Sequence, residues 1–222
     1  MRFAFIPGAG GAAWYWHRVT PLLEAAGHEA IAVDLPASDE EAGLDDYAER
    51  IVAAIGKRKA VVVAQSLGGF VAPLVCARVP VEALILVNAM IPLPGETAND
   101  WGENTDSGEA RKAAARKGGY DAEFEVQTYF FHDVPKTIAK EAEAHDHEQA
   151  EAVMDEPCRF EAWPSAPIRV IVGRDDRLFP LEFQRRIARE RLGIEVEEIP
   201  GGHLVALSNP KGLAKLLVNR RD

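Results

Sequence analysis

The stretch VVVAQSLGGF, Val61–Phe70, decides how this chain is read. Small and β-branched apolar residues run into Gln65-Ser66, and two glycines follow at once. The run from Ala60 to Ala64 is nearly all apolar, as a strand buried on both faces requires. The residues from Leu67 to Arg78 have helical spacing. A strand that turns this sharply into a helix lifts the side chain at the turn above the sheet. The backbone there is strained, and the residues two before and two after must be small. Here those are Ala64 and Gly68, so AQSLG is a variant of the G-x-S-x-G elbow that exposes a nucleophilic serine. The same five residues could simply be a Ser-Gly turn capping a helix. The rest of the chain has to choose.

Outward from this stretch, strand-like and helix-like segments alternate. Arg2 to Ile6 is a short apolar strand followed by the glycine-rich loop Pro7 to Gly11. Trp14 to Ala26 has helical spacing and stops at Gly27. Ala30 to Val33 is a second strand, and Leu44 to Ile55 is an amphipathic helix closed by Gly56. Val81 to Val87 is a fourth strand. The alternation resumes with a strand at Ile168 to Val172, a helix around Leu181 to Arg191, a strand at Glu195 to Ile199 and a helix from Asn209 to Val218. Between about 91 and 164 no clear strand is written; a helix over Lys136 to Glu151 is expected there. The pattern predicts one α/β domain over residues 1–222. It is a mainly parallel six-stranded sheet with helices on both faces, with a helical cap inserted after the fourth strand.

Bulk properties narrow the function. The formal net charge of −10 argues against nucleic acid or an anionic membrane as the main partner, since both need a basic face. No stretch approaches the roughly 20 apolar residues of a membrane span. The apolar run in MRFAFIPGAGG is too short for a signal-peptide core, so a cytoplasmic protein is expected, either a monomer or a homodimer. Cys76 and Cys158 are far apart and lack metal-type spacing; Cys76 sits in an apolar helical pattern and reads as a buried thiol. His145 and His147 are two apart and would point away from each other on a helix, which makes a poor metal pair. No metal and no cofactor are expected.

In a parallel sheet of this kind, sites form at the carboxyl ends of the strands. Ser66 follows the third strand, Asp175 and Asp176 follow the fifth, and His203 follows the sixth in a Gly-Gly-His loop. A histidine there can act as general base toward Ser66, and an acid can orient it. Asp175 and Asp176 compete for that role on sequence alone.

These residues resemble an α/β-hydrolase along nearly the whole chain. The likeness is greatest to the small esterase branch that includes plant methylesterases and hydroxynitrile lyases. It is carried by PGAGGAAWYWHRVTPLLEAAGHEAIAVDLPAS, AQSLGGF, NAMIP, GRDDRLFPLEFQ and GGH. The superfamily's G-x-x-D acid falls on Asp176. An alternative acid position at the end of the fourth strand carries Asn88, which has no charge to supply. By resemblance the oxyanion hole takes backbone N–H groups from Leu67 and from Ala9, with Gly8 just before it. Most relatives have His-Gly where this chain has Pro7-Gly8, which implies altered bracing of that loop.

The resemblance also bears on the reaction. A serine at position 66 excludes the dehalogenase version, which needs a carboxylate there. Hydroxynitrile lyases carry a threonine where this chain has Gly8 and a lysine where it has Leu204, so cyanohydrin cleavage is disfavoured. Hydrolysis of a small to medium apolar ester through an acyl-enzyme is expected. Trp14, Met90 and Leu204 are candidate pocket residues, and His132 is the cap histidine placed as a candidate substrate contact. The rival readings are a small-molecule receptor on the same fold, or a lactonase, amidase or C–C bond hydrolase using the same three residues.

Overall fold

The computed structural model describes residues 1–145 and 147–219. Six parallel strands form one sheet in the order β2-β1-β3-β4-β5-β6. They are β1 (Arg2–Ile6), β2 (Glu29–Ala32), β3 (Ala60–Gln65), β4 (Val81–Val87), β5 (Ile168–Gly173) and β6 (Glu197–Ile199). Alternate residues of each strand face opposite sides, which divides the apolar core in two. Ala4, Ile6, Val62, Ala64, Leu84, Leu86, Val170 and Val172 face one side. There they pack on α2 (Leu44–Ile55), α3 (Gly68–Cys76) and α9 (Leu181–Leu192). Phe3, Phe5, Val61, Val63, Ile85, Val87 and Ile171 face the other. They meet α1 (Thr20–Ala25), α10 (Val205–Ser208) and α11 (Pro210–Val218).

The helices follow from apolar spacing. In α2, Leu44, Tyr47, Ile51 and Ile55 lie on one buried face. Burying a leucine or isoleucine side chain there contributes about 1.5–3 kcal/mol. Gly56, at φ 64°, ends the helix where a side chain would be strained. Cys76 and Cys158 are free thiols, and burial pushes both up to about 12.

Two expected helices are divided. Trp14 to Ala26 is a 3₁₀ turn (Ala13–Trp16) followed by the separate α1, whose Pro21 stands in its first turn. Pro21 has no N–H to bond back into a preceding turn, so the helix restarts there. The helix expected over Lys136 to Glu151 becomes α7 (Lys136–Ala142), a 3₁₀ turn (Glu143–His145) and α8 (Glu151–Asp155). Residues 147–150 leave the helix because their polar groups bond to the core instead. The Ala150 N–H donates to the Ala37 carbonyl at 2.7 Å, and the Gln149 side chain bonds to Gly10 and Tyr47. Earlier in the same segment lie α4 (Ala98–Asn104), α5 (Ser107–Gly118) and α6 (Val126–Tyr129). Glu96, just before α4, forms a buried ion pair with Arg191 of α9. Among the described residues, no helix is long and apolar enough to cross a membrane.

Candidate active site

Ser66 stands between β3 and α3 with φ 50°, in the left-handed region that a non-glycine residue rarely occupies. The turn is clamped by its own carbonyl, which accepts the N–H of Gly69 and of Met90, each at 3.0 Å. Tight packing explains the small neighbours. A Cβ on Gly68 would lie 2.6 Å from the Pro7 carbonyl oxygen, and one on Gly69 would lie 1.8 Å from that of Met90. The strained serine therefore persists because its surroundings fix it on both sides.

His203 is fully buried, and Ser66 is 8% exposed. The Ser66 Oγ lies 3.1 Å from His203 Nε2, and His203 Nδ1 lies 2.9 Å from Asp176 Oδ2. Asp176 is anchored by its other oxygen, which accepts the N–H groups of Leu178 and Phe179 at 2.9 Å each. The Gln184 amide also donates to Asp176 Oδ2 at 3.3 Å. Asp175 points outward and accepts the Gly201 N–H at 3.1 Å. Of the two competing acids, Asp176 is thus the one that meets the histidine. The ring edges or faces of Phe130 and Phe179 flank the imidazole, with centroids 5.1 and 5.2 Å away. They keep water off it.

Several contributors were not distinguished in the sequence. The Gln65 amide nitrogen lies 3.1 Å from His203 Nε2 and 3.5 Å from the His203 carbonyl. A carbonyl oxygen can only accept, so the Gln65 atom facing it is the NH₂ group. That donor calls for a lone pair on Nε2, which puts the ring proton on Nδ1 toward Asp176. This is the tautomer a general base needs. Asn88, fully buried at φ 45°, ties three loops together. Its Oδ1 accepts the Gly173 N–H at 2.7 Å, and its Nδ2 donates to the carbonyls of Gly202 and His203 at 3.0 and 2.9 Å. Asp133 of the inserted segment accepts the Gly202 N–H at 2.6 Å. Gln65 and Asn88 carried a signal, since both stand at strand ends on the site's side. Asp133 and Gln149 carried none, because their partners are distant in sequence.

The remaining candidates separate. A cavity of about 200 Å³ beside Ala9 is lined by Trp14, Val126, Phe131 and Leu204 together with Gln127 and Glu143; Ser66, Asp176 and His203 are not among its lining residues. His145 at its edge stacks on Trp14 with centroids 4.8 Å apart. Gly8 lies against Gln65 and Ser66, so close that a Cβ there would be 2.8 Å from the Ser66 Cβ. That contact brings the Gly8-Ala9 segment beside the serine. Met90 is buried, and its N–H donates to the Ser66 carbonyl. His132 lines a separate depression on the acid's side of the site, with Tyr120, Asp133, Asp175, Arg177 and Asp176 itself. Burial pushes its ring below the ordinary histidine range. A surface depression of about 890 Å³ beside α2, lined by Asp34, Asp39, Glu41, Asp46 and Glu49 among others, includes none of Ser66, Asp176 or His203. Among the described residues, no three His, Cys, Asp or Glu side chains are grouped as metal ligands would be.

Comparison with known proteins places the chain in a family. A family model described as the alpha/beta hydrolase family matches residues 3–216. A probable esterase PIR7A of Oryza sativa subsp. indica is 36% identical over 107 residues, covering 42% of this chain and 41% of that protein. Methyl jasmonate esterase 1 of Vitis vinifera is 32% identical over 105 residues, 41% of this chain and 40% of that protein. These matches thus span about two-fifths of each relative's length. Norfluorocurarine synthase 2 of Strychnos nux-vomica aligns over 97% of the chain and 93% of its own length, at 26% identity. Among solved structures, polyneuridine aldehyde esterase superposes with a TM-score of 0.78 at 21% identity, covering 98% of this chain and 97% of that one. A pyrethroid hydrolase from Sphingobium faniae superposes with a TM-score of 0.74 at 20% identity, covering 98% and 95%. At such identities the structural likeness speaks for the fold.

Proposed function

The chain belongs to the alpha/beta hydrolase family, and from that premise we propose that it is a cofactor-independent serine carboxylesterase. The observation that carries this reading is the buried Ser66–His203–Asp176 hydrogen-bond chain, with links of 3.1 and 2.9 Å, built on a strained serine. His203 Nε2 takes the proton as Ser66 Oγ attacks the ester carbonyl. Asp176 holds the ring and stabilises its positive charge. The oxyanion of the tetrahedral intermediate is held by the N–H groups of Ala9 and Leu67, at the start of α3. Collapse of that intermediate transfers the proton to the departing alcohol and leaves an acyl-Ser66. A water molecule, deprotonated by the same His203, then releases the acid.

The cavity beside Ala9, mostly apolar with Glu143 in its lining, favours a small to medium ester without negative charge. Its volume of about 200 Å³ is below the roughly 300 Å³ at which drug-sized ligand sites begin. Leu204 in its wall offers no cation for a leaving cyanide, which argues against lyase chemistry. The names of the matched plant relatives, several of them esterases, point the same way. The test is steady-state hydrolysis of p-nitrophenyl acetate, butyrate and octanoate. The reading expects many turnovers per protein, with the shorter esters preferred. A single stoichiometric burst would favour a receptor that retained the triad, and no release above the Ser66→Ala protein would reject the esterase.

A further inference from the structure

The loop expected to hold the oxyanion opens on Pro7, which has no N–H to donate to a brace. Gly10 and Gly11 follow Ala9 with φ 79° and 64°, so the backbone there has little stiffness of its own. Two bonds hold the far side of the loop: the Gly11 N–H to the Gly8 carbonyl at 3.1 Å, and the Leu35 N–H to the Gly11 carbonyl at 2.9 Å. The peptide joining Ala9 to Gly10 is held by a residue far away in the chain. Gln149 Oε1 accepts the Gly10 N–H at 3.2 Å. The Gln149 NH₂ donates to the Tyr47 hydroxyl at 3.1 Å and to the Ala150 carbonyl at 3.2 Å. Tyr47 is 1% exposed in α2, so the glutamine is anchored to the core. The His147 carbonyl also presses on Gly10, 3.0 Å from where a Cβ would stand.

We infer that Gln149, presented by the extended segment 147–150 of the inserted region, is the positioning residue for the Ala9 side of the oxyanion hole. The inserted region therefore does more than cover the site: it sets the geometry of one of the two oxyanion donors. The broken helix is the independent sign of this. A sequence with helical character up to Glu151 gives up its helical bonds over residues 147–150 and makes these contacts instead. A donor displaced by a fraction of an ångström loses transition-state stabilisation and leaves ground-state binding in place.

The inference rests on the esterase reading, and the experiment separates the two. Wild type, Gln149→Met, Gln149→Glu and Ser66→Ala are compared on p-nitrophenyl butyrate, with inhibition by an alkylboronic acid and hydrogen exchange of residues 7–13. Methionine keeps the length and loses the acceptor. Glutamate keeps an acceptor for Gly10 and can take a hydrogen bond from the Tyr47 hydroxyl, but its second oxygen would face the Ala150 carbonyl. Gln149→Met is expected to lose about tenfold in kcat with KM within about twofold. Its boronate Ki should rise by a similar factor, and exchange at residues 7–13 should quicken. Gln149→Glu, which keeps the Gly10 contact but not the Ala150 one, should recover only part of the kcat. Wild-type kcat and exchange in Gln149→Met would overturn the inference, and so would equal losses in the two variants. If Gln149→Met does not fold, Tyr47→Phe takes its place, with faster exchange and lower kcat expected and unchanged values refuting. Equal rates for wild type and Ser66→Ala would instead overturn the esterase reading itself, whatever the exchange showed.

Discussion

Replacing Asn88 with alanine tests how the histidine loop is held. Asn88 is fully buried and makes three hydrogen bonds of 2.7 to 3.0 Å, joining the end of β4 to Gly173 and to the loop that carries His203. In alanine's place the Gly173 N–H and the Gly202 carbonyl lose a partner outright, while the His203 carbonyl keeps the Gln65 amide at 3.5 Å. Each orphaned buried group costs about 1–3 kcal/mol. Alanine must also hold the left-handed φ of 45°, which asparagine tolerates better. Together these give a loss of about 4 kcal/mol. For a chain of this size that corresponds to a fall in Tm of about 8–16 °C. Thermal unfolding followed by circular dichroism reads it directly. Asn88→Gly should be slightly less damaging, because the backbone cost disappears and the hydrogen-bond loss remains. Asn88→Asp should be no better than alanine, since its carboxylate would face two carbonyl oxygens. A Tm drop below about 3 °C for Asn88→Ala would refute this account of the clamp.

Three more outcomes follow from the geometry. Asp176→Asn should lower kcat/KM by at least about a hundredfold, while Asp175→Asn, whose amide oxygen can still accept the Gly201 N–H, should lose less than about tenfold. Steady-state kinetics of the pair decides, and the reverse order would reject Asp176 as the acid. Glu96→Gln should destabilise the fold by about 3 kcal/mol, because Arg191 would keep a buried charge without its partner; denaturant unfolding measures it. Burial works to raise the Glu96 carboxyl, but hydrogen bonds from Arg191, Asn104 and the Leu93 N–H outweigh it and hold the group below its ordinary value. Its contribution is therefore present above the unfolded carboxylate pKa of about 4.3 and is lost as pH falls through the lower folded value. The stability gap between wild type and Glu96→Gln should accordingly narrow in acid, below about pH 4.

Much of the fold was legible because its signals are local. The strands of a two-sided parallel sheet are unbroken apolar runs, and Val61–Ala64 or Leu84–Val87 can hardly be anything else. The serine elbow was legible because it needs small residues at fixed offsets. Asp176 over Asp175 was not legible from the residues themselves. Two adjacent acids look alike until the Leu178 and Phe179 N–H groups fix which one turns inward. The inserted region was least legible. Its helix-forming composition pointed to a helix over Lys136 to Glu151. The winning interactions were tertiary, between Gln149 and Gly10 and between Ala150 and Ala37, and no local propensity encodes them. His132 illustrates the same limit. A histidine beside aromatics suggests a substrate pocket, and His132 instead lines the depression on the Asp133, Asp175 and Asp176 side.

The central claim is that Ser66 is the nucleophile, and covalent labelling tests it most directly. Wild-type protein is treated with a fluorophosphonate, digested, and the modified peptide sequenced by mass spectrometry, with ester turnover followed in parallel. One phosphonyl group is expected on the peptide containing VVVAQSLGGF, located at Ser66, with turnover lost in step with labelling and no label on Ser66→Ala. A label at another residue, or full turnover in protein that carries the label at Ser66, would contradict it.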